Sequence, residues 1–112
     1  MSELTELRGL LRDFAREREW LNYHDAKNLA MAVASEAGEL LAEFRWLSPD
    51  EASLANLTDA QLRDIRFEMA DVLIFLVRLA DVLDVDLFAS VREKLTLNAD
   101  RFPVVESEPP GS

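Results

Sequence analysis

A long stretch without glycine or proline constrains the fold of this chain more than any other feature. Neither residue occurs between Asp50 and Phe102. Glycine and proline mark turns and loops, so their absence over such a length is unusual unless the chain is helical throughout. Apolar residues also recur at spacings of three and four rather than in alternation, which is the period of an amphipathic helix. The sequence therefore predicts an all-α fold.

Apolar spacing and capping residues predict two helices in the first half of the chain. The first begins at about Leu4 and ends near Glu19, with leucines and a phenylalanine on its apolar face. Asp25 is suited to cap the second helix, because a short side-chain oxygen accepts the free N–H groups of a first turn. We expect this helix to run to about Trp46 or Leu47.

Two more helices follow a loop that begins at Ser48-Pro49. Thr58 and Gln61 have the spacing of a capping box, which predicts the start of a third helix that continues to about Leu83. Asp86 is suited to cap a fourth helix that ends near Phe102.

The predicted helices form one domain, which we place at residues 1–103. No internal repeat of solenoid spacing occurs, and Pro103 stops the fourth helix. Residues 104–112 contain four acidic or hydroxyl side chains around Pro-Pro-Gly and are expected to form a flexible tail.

Composition excludes several classes of function. With 22 acidic and 12 basic residues the net charge is −10, which disfavours a nucleic-acid polymer as partner, because such binding needs a basic surface. The chain has no cysteine and one histidine, so disulfides, iron–sulfur clusters and thiolate zinc sites are excluded. Acids near the N-terminus do not fit a signal peptide, and no apolar run is long enough for a membrane span. We expect a cytoplasmic protein without membrane contact.

The second and third predicted helices are apolar on nearly all sides. Few charges interrupt residues 28–45, and only Asp71, Arg78 and Asp81 interrupt residues 69–83. Such helices must be covered all round, whereas a chain of this length buries only about two-thirds of its unfolded surface. Self-association is the simplest solution.

Carboxylates are the main interruptions in these two helices. At helical spacing one stripe is formed by Glu36, Glu39 and Glu43, and another is formed by Asp64, Glu68 and Asp71. A solvated acidic face is the ordinary interpretation of such a stripe. Carboxylates inside a bundle repel one another instead and need a cation.

Oxygen ligands favour a hard cation such as Mg²⁺ or Mn²⁺. A di-iron bundle normally uses Glu-x-x-His motifs from two helices. The one histidine, His24, lies before the second helix and outside such a motif.

Two carboxylate pairs carry a family resemblance: Glu36-Ala-Gly-Glu39 and, after a loop, Glu68-Met-Ala-Asp71. They resemble the Glu-x-x-Glu and Glu-x-x-Asp signature of MazG-like nucleoside triphosphate pyrophosphohydrolases. Further segments from about residue 7 to 103 resemble the dCTP pyrophosphatase branch of that family. These segments are Glu19-Trp20, His24, Asn28, Ser35-Glu36, Phe44-Arg-Trp46, Asp71-Val-Leu-Ile-Phe-Leu-Val, Lys94, Asn98 and Arg101-Phe102-Pro103.

The resemblance implies a four-helix MazG-like bundle completed by oligomerisation. It also implies Mg²⁺-dependent cleavage of a nucleoside triphosphate into monophosphate and pyrophosphate, with Mn²⁺ as a possible substitute. Glu36, Glu39, Glu68 and Asp71 are then the expected metal ligands and catalytic residues, and Glu39 is our candidate to orient or deprotonate the attacking water. Glu43 either binds a second ion or faces water.

The resemblance further implies a nucleotide pocket made of aromatic and polar residues. The tryptophans are expected to enclose the base, and the fourth helix is expected to contact the phosphates. Phe102 replaces a tyrosine common in the family and Lys27 replaces an expected arginine, which leaves the preferred base open. The expected substrate-binding residues are Trp20, His24, Asn28, Trp46, Lys94, Asn98, Arg101 and Phe102.

The leading hypothesis is a house-cleaning enzyme that acts on dCTP or a modified pyrimidine deoxynucleotide. A related hydrolase of dUTP or phosphoribosyl-ATP is the nearer alternative, and a non-catalytic helical interaction module is the more distant one. By analogy with dCTP-hydrolysing relatives we expect a homotetramer built as a dimer of dimers, with a homodimer as alternative, and active sites with residues from more than one chain.

Overall fold

The structure of the protein, a computed structural model, describes residues 2–105. Within that range the chain forms four α-helices and one short 3₁₀ helix, without a β-strand. The prediction of an all-α fold is therefore confirmed. In chain order the elements are α1 (Glu3–Glu17), the 3₁₀ helix (Leu21–Tyr23), α2 (Ala26–Phe44), α3 (Asp59–Val82) and α4 (Leu87–Arg101).

Capping side chains set the starts of the helices. Asp25 caps α2 by accepting the Asn28 backbone N–H, and Asp86 caps α4 in the same way. Thr58 and Gln61 form both halves of a capping box at the start of α3. These three predicted caps are confirmed. They could be predicted from the sequence because each cap depends on residues only three positions apart.

Two non-glycine residues in the left-handed region end α1 and α3. Glu19 has φ 59° and Asp84 has φ 53°. After each of them the next backbone N–H reaches back to the last turn, from Trp20 to the Ala15 oxygen at 2.9 Å and from Val85 to an alanine oxygen at 2.8 Å. This is the Schellman arrangement, which reverses the chain direction.

The observed helix ends lie slightly inside the predicted ones. The first helix ends at Glu17 rather than near Glu19, and the second ends at Phe44 rather than at residue 46 or 47. After α2 the chain continues in turns through residues 49–56. Of the tail predicted at residues 104–112, only residues 104 and 105 fall within the described range, and neither is helical.

The α2 and α3 helices pack along each other, and α1 lies against α3. The pairing is antiparallel, because His24 lies beside Arg78 while Glu36 lies beside Glu68. The buried apolar side chains belong to these three helices. They are Ala15, Leu29, Ile65, Val77 and Ala80.

The α4 helix extends away from the other helices instead of packing along α2 or α3. The radius of gyration is 18.5 Å, compared with about 13 Å for a compact domain of this length. Phe88, Val91 and Leu95 remain more than half exposed on α4, so its apolar face is uncovered in the single chain. None of the helices in the described range has the length and apolarity of a membrane span.

Candidate active site

Three carboxylates from two helices meet in the middle of the α2/α3 pair. Glu36 comes from α2, and Glu68 and Asp71 come from adjacent turns of α3. One oxygen of each lies within 4.8 Å of an oxygen of the other two, and all three residues are half-buried. Residues 68 and 71 share a face because they are three positions apart on a helix. We call these three residues the carboxylate trio.

The trio is electrostatically strained without a cation. Burial raises the pKa of Glu36, and the charges of Asp71 and Glu39 raise it further. The pKa of Glu68 is also raised, first by desolvation and then by the neighbouring carboxylates. Its Oε2 atom is buried and has no hydrogen-bond partner among residues 2–105.

A divalent cation fits this arrangement. It would supply the missing partner of Glu68 Oε2 and would offset the repulsion among the three negative charges. The donor set consists of carboxylate oxygens from two packed helices, which suits a hard ion that keeps part of its water shell.

Glu39 is the one predicted metal ligand that lies outside the trio. Its side chain is exposed, although its charge still acts on Glu36 and Glu68. It lies on α2 close to the trio and is free to contact water or a ligand. Glu43 lies further along the same helix, and its charge also acts on Glu68.

Aromatic rings cluster where the chain passes from α1 to α2. The Trp20 ring lies edge-on to Phe14, with centroids 5.8 Å apart, and its centroid is 6.3 Å from that of His24. Trp20 is 44% exposed, so part of its ring is available to a ligand. His24 accepts a hydrogen bond at Nδ1 from Arg78 Nε, at 3.1 Å.

Asn28 helps to build the start of α2. Its side-chain amide donates to the Tyr23 carbonyl oxygen at 3.1 Å and to Asp25 Oδ2 at 2.9 Å. The residue is exposed. Because the amide nitrogen already donates two hydrogen bonds within the protein, the predicted contact with substrate would use the amide oxygen.

Trp46 lies at the opposite end of α2 from Trp20. The 19 residues of α2 span about 28 Å, so the two tryptophans of one chain do not enclose the same base. Trp46 is 82% exposed, and the Arg45 guanidinium lies 5.2 Å from its ring centroid. A pocket with both tryptophans requires two chains.

The predicted phosphate contacts on α4 are not brought to the trio within one chain. Lys94, Arg101 and Phe102 are exposed and Asn98 is half-buried, and α4 does not pack along α2 or α3. The spacing that places them on one face of α4 is preserved. Their approach to a carboxylate site would have to come from another copy.

The ion pair of Arg78 and Asp81 was not predicted from the sequence. Arg78 is 3% exposed, and its Nη1 donates to Asp81 Oδ2 at 2.7 Å. Arg12 of α1 donates to the same carboxylate. The available signal was the three-residue spacing of opposite charges inside an otherwise apolar run.

A cleft of about 420 Å³ lies between the start of α1, the end of α3 and the start of α4. None of the predicted site residues lines it.

The fold and the trio together define an all-α protein with a carboxylate site suited to a divalent metal. Comparison with solved structures gives a pyrophosphatase from Archaeoglobus fulgidus DSM 4304, with 34% identity and a TM-score of 0.84 over 93% of this chain and 95% of the other. The chain belongs to the MazG-like family of all-α pyrophosphohydrolases.

Curated relatives point to one branch of that family. The chain is 38% identical over 101 residues to dCTP pyrophosphatase 1 of Mus musculus, covering 90% of this chain. It is 36% identical over 100 residues to dCTP pyrophosphatase 1 of Homo sapiens, covering 89%. The chain spans 59% of the length of each of these relatives. No protein-family model matches the chain.

Proposed function

We propose that this protein is a Mg²⁺-dependent nucleoside triphosphate pyrophosphohydrolase, with dCTP or a modified pyrimidine deoxynucleotide as substrate. The trio of Glu36, Glu68 and Asp71, with oxygens within 4.8 Å of one another, is the observation that carries this proposal. The similarity to dCTP pyrophosphatases supports the choice of substrate class. The role is that of a cytoplasmic house-cleaning enzyme of the nucleotide pool.

The trio would hold Mg²⁺, and Mn²⁺ could substitute. When bound, the ion supplies charge neutralisation for the triphosphate and for the departing pyrophosphate. Glu39 is exposed beside the trio and is suited to orient the attacking water or to accept its proton. The products are the nucleoside monophosphate and pyrophosphate.

The nucleoside would be bound by residues of more than one chain. Trp20, His24 and Asn28 lie at one end of α2, and Trp46 lies at the other, so a second copy completes the aromatic pocket. An exposed tryptophan offers a flat apolar face for stacking on a base. Lys94, Asn98, Arg101 and Phe102 on α4 would contact the nucleotide from a neighbouring copy. We propose a homotetramer built from dimers, with a homodimer as the smaller alternative.

The experiment that tests this function is product analysis of a panel of deoxynucleoside triphosphates, with Mg²⁺ and with a chelator. We expect dCTP or a modified pyrimidine nucleotide to give monophosphate and pyrophosphate only when the metal is present. Asp71→Asn should lower the turnover about 100-fold or more, since a metal ligand supports several kcal/mol of transition-state stabilisation. Asp59→Asn, at an exposed position in the first turn of the same helix and away from the trio, is the matched control.

Turnover of dUTP or phosphoribosyl-ATP alone would keep the reaction and change the substrate. Absence of turnover for every nucleotide would contradict the proposal and would favour an interaction module.

A further inference from the structure

A buried arginine of α3 holds the single histidine of this chain. Arg78 Nε donates to His24 Nδ1 at 3.1 Å, and Arg78 Nη1 donates to Asp81 Oδ2 at 2.7 Å. The side chains of Arg78 and Asp81 are 4% and 7% exposed. The guanidinium therefore bridges the start of α2 to α3 and has little freedom to move.

Arg78 is itself held in place from α1. Arg12 Nε donates to Asp81 Oδ2 at 2.9 Å, and its Nη2 donates to Oδ1. Arg8 Nε lies 3.8 Å from the same carboxylate. Three guanidinium groups thus surround one carboxylate, so the surroundings of His24 carry an excess of positive charge.

These surroundings keep the His24 imidazole neutral. Burial lowers the pKa of His24, and the charge of Arg78 lowers it further. A neutral imidazole carries one N–H and one unprotonated nitrogen. Because the Arg78 Nε–H can only donate, Nδ1 must be the unprotonated nitrogen, and the hydrogen is on Nε2.

Nε2–H is therefore the free functional group of His24. None of the hydrogen bonds among residues 2–105 uses this nitrogen. The ring lies beside the part-exposed Trp20. Its partner Arg78 is seven positions after Asp71 on α3, which corresponds to about 10 Å along the helix from the trio. A nucleotide with its phosphates at the trio would place its sugar and base in this region.

We propose that Arg78 is a positioning residue that fixes His24 as an Nε2–H donor to an acceptor atom of the bound nucleoside, such as a pyrimidine carbonyl oxygen. This inference rests on the nucleotide site proposed above. The fixed tautomer selects against a donor, such as an exocyclic amine, at the same position. Asp81 acts on His24 indirectly, because it orients the Arg78 guanidinium.

The tautomer can be measured without any variant or substrate, because the chain has one histidine. We expect long-range ¹H–¹⁵N spectra of ¹⁵N-histidine-labelled protein at pH 7 to show a protonated Nε2 and an unprotonated, hydrogen-bonded Nδ1. A protonated Nδ1, or an imidazolium, would overturn the proposal. This readout is independent of turnover, so it separates failure of the positioning role from failure of the proposed enzyme activity.

A double-mutant cycle tests whether Arg78 acts through His24. Arg78→Met should raise KM for the preferred nucleotide about five- to tenfold, the worth of one hydrogen bond, and should change kcat much less. In a His24→Phe background the same substitution should have no further effect on KM. An equal effect in both backgrounds would show a merely structural role and would overturn the proposal. Arg66→Met, at an exposed position of the same helix, is the control.

Discussion

Glu68 combines a buried oxygen atom, unpaired within residues 2–105, with a raised pKa. One of its oxygens is buried without a hydrogen-bond partner in the described range, and its pKa is raised by desolvation and by four nearby carboxylates. A raised carboxyl pKa means that the folded state resists ionisation. The stability linked to Glu68 is therefore present below its ordinary pKa of 4.5 and is lost as the pH rises through the shifted value.

Substitution of Glu68 should raise the stability of the metal-free protein and weaken its binding of metal. At pH 7 in a chelator, Glu68→Gln should melt at a higher temperature than the wild type, because it removes one charge from the trio. Added Mg²⁺ should raise the melting temperature of the wild type more than that of the variant, since only the intact site binds the ion tightly. Thermal unfolding with and without Mg²⁺ measures both effects.

Glu93→Gln, on the exposed surface of α4, should leave both melting temperatures unchanged. A Glu68→Gln variant that is less stable than wild type in chelator would contradict the strained-trio interpretation.

For individual residues, the sequence predicted the positions that helical spacing determines. The i and i+3 relation of Glu68 and Asp71 follows from the helix alone, and the apolar surroundings indicated an internal position. The exclusion of Glu39 from the trio depends on the rotation of α2 against α3, which no spacing within one helix specifies. The left-handed Glu19 and Asp84 escaped prediction because glycine is the usual residue there.

At the scale of elements, one carboxylate of α3 joins α1 to the rest of the fold. Asp81 accepts hydrogen bonds from Arg12 and Arg78, and the Arg12 hydrogen bond is the first cause that holds its pKa below the ordinary 3.8. Because the folded pKa is depressed, its stabilisation is complete above that value and is lost as the pH falls below it.

Asp81→Ala should therefore destabilise the protein strongly. Removal of one partner leaves the buried Arg78 uncompensated, which costs roughly 3 kcal/mol. Chemical denaturation at pH 7 measures this loss, and below about pH 4 the difference from wild type should shrink as the wild-type carboxyl becomes protonated.

The control is Asp13→Ala, whose ion pair with Arg16 is exposed on α1. Surface pairs of this kind contribute about 1 kcal/mol or less. Equal losses in the two variants would refute the joining role of Asp81.

The elements themselves were largely predictable, because their starts depend on local chemistry. Asp25, Thr58 and Asp86 cap their helices as expected. The short 3₁₀ helix and the contact of His24 with Arg78 were not predicted, since residues 24 and 78 meet only when α2 and α3 have packed antiparallel.

At the scale of the molecule, the single chain leaves a large apolar surface uncovered. Phe88, Val91 and Leu95 on α4 and Leu41 on α2 are all more than half exposed. Exposed apolar area of this extent marks an interaction surface, and none of the helices described within residues 2–105 packs along α4. A second copy is the partner that we propose.

Leu95→Glu should reduce the mass measured by light scattering at micromolar concentration, because a charge buried in an apolar interface without a partner is costly. Leu54→Glu is the matched control, since Leu54 is 79% exposed in the loop between α2 and α3. A wild-type monomer, or an unchanged mass for Leu95→Glu, would contradict assembly through α4.

Self-association was expected from the sequence, because the second and third helices lack a solvated face, and it stays a prediction. The placement of α4 away from the trio did not follow, since its amphipathic pattern indicates only that one face must be covered. The pattern does not indicate which chain covers that face.

We propose that the trio of Glu36, Glu68 and Asp71 is the metal site of a nucleotide hydrolase. The most direct test is a crystal structure of the protein with Mn²⁺ and a non-hydrolysable dCTP analogue, with the metal located by anomalous scattering. We predict a peak within coordination distance of all three carboxylates and of the analogue's phosphate oxygens. A metal and nucleotide bound elsewhere, with the trio open to water, would contradict the account.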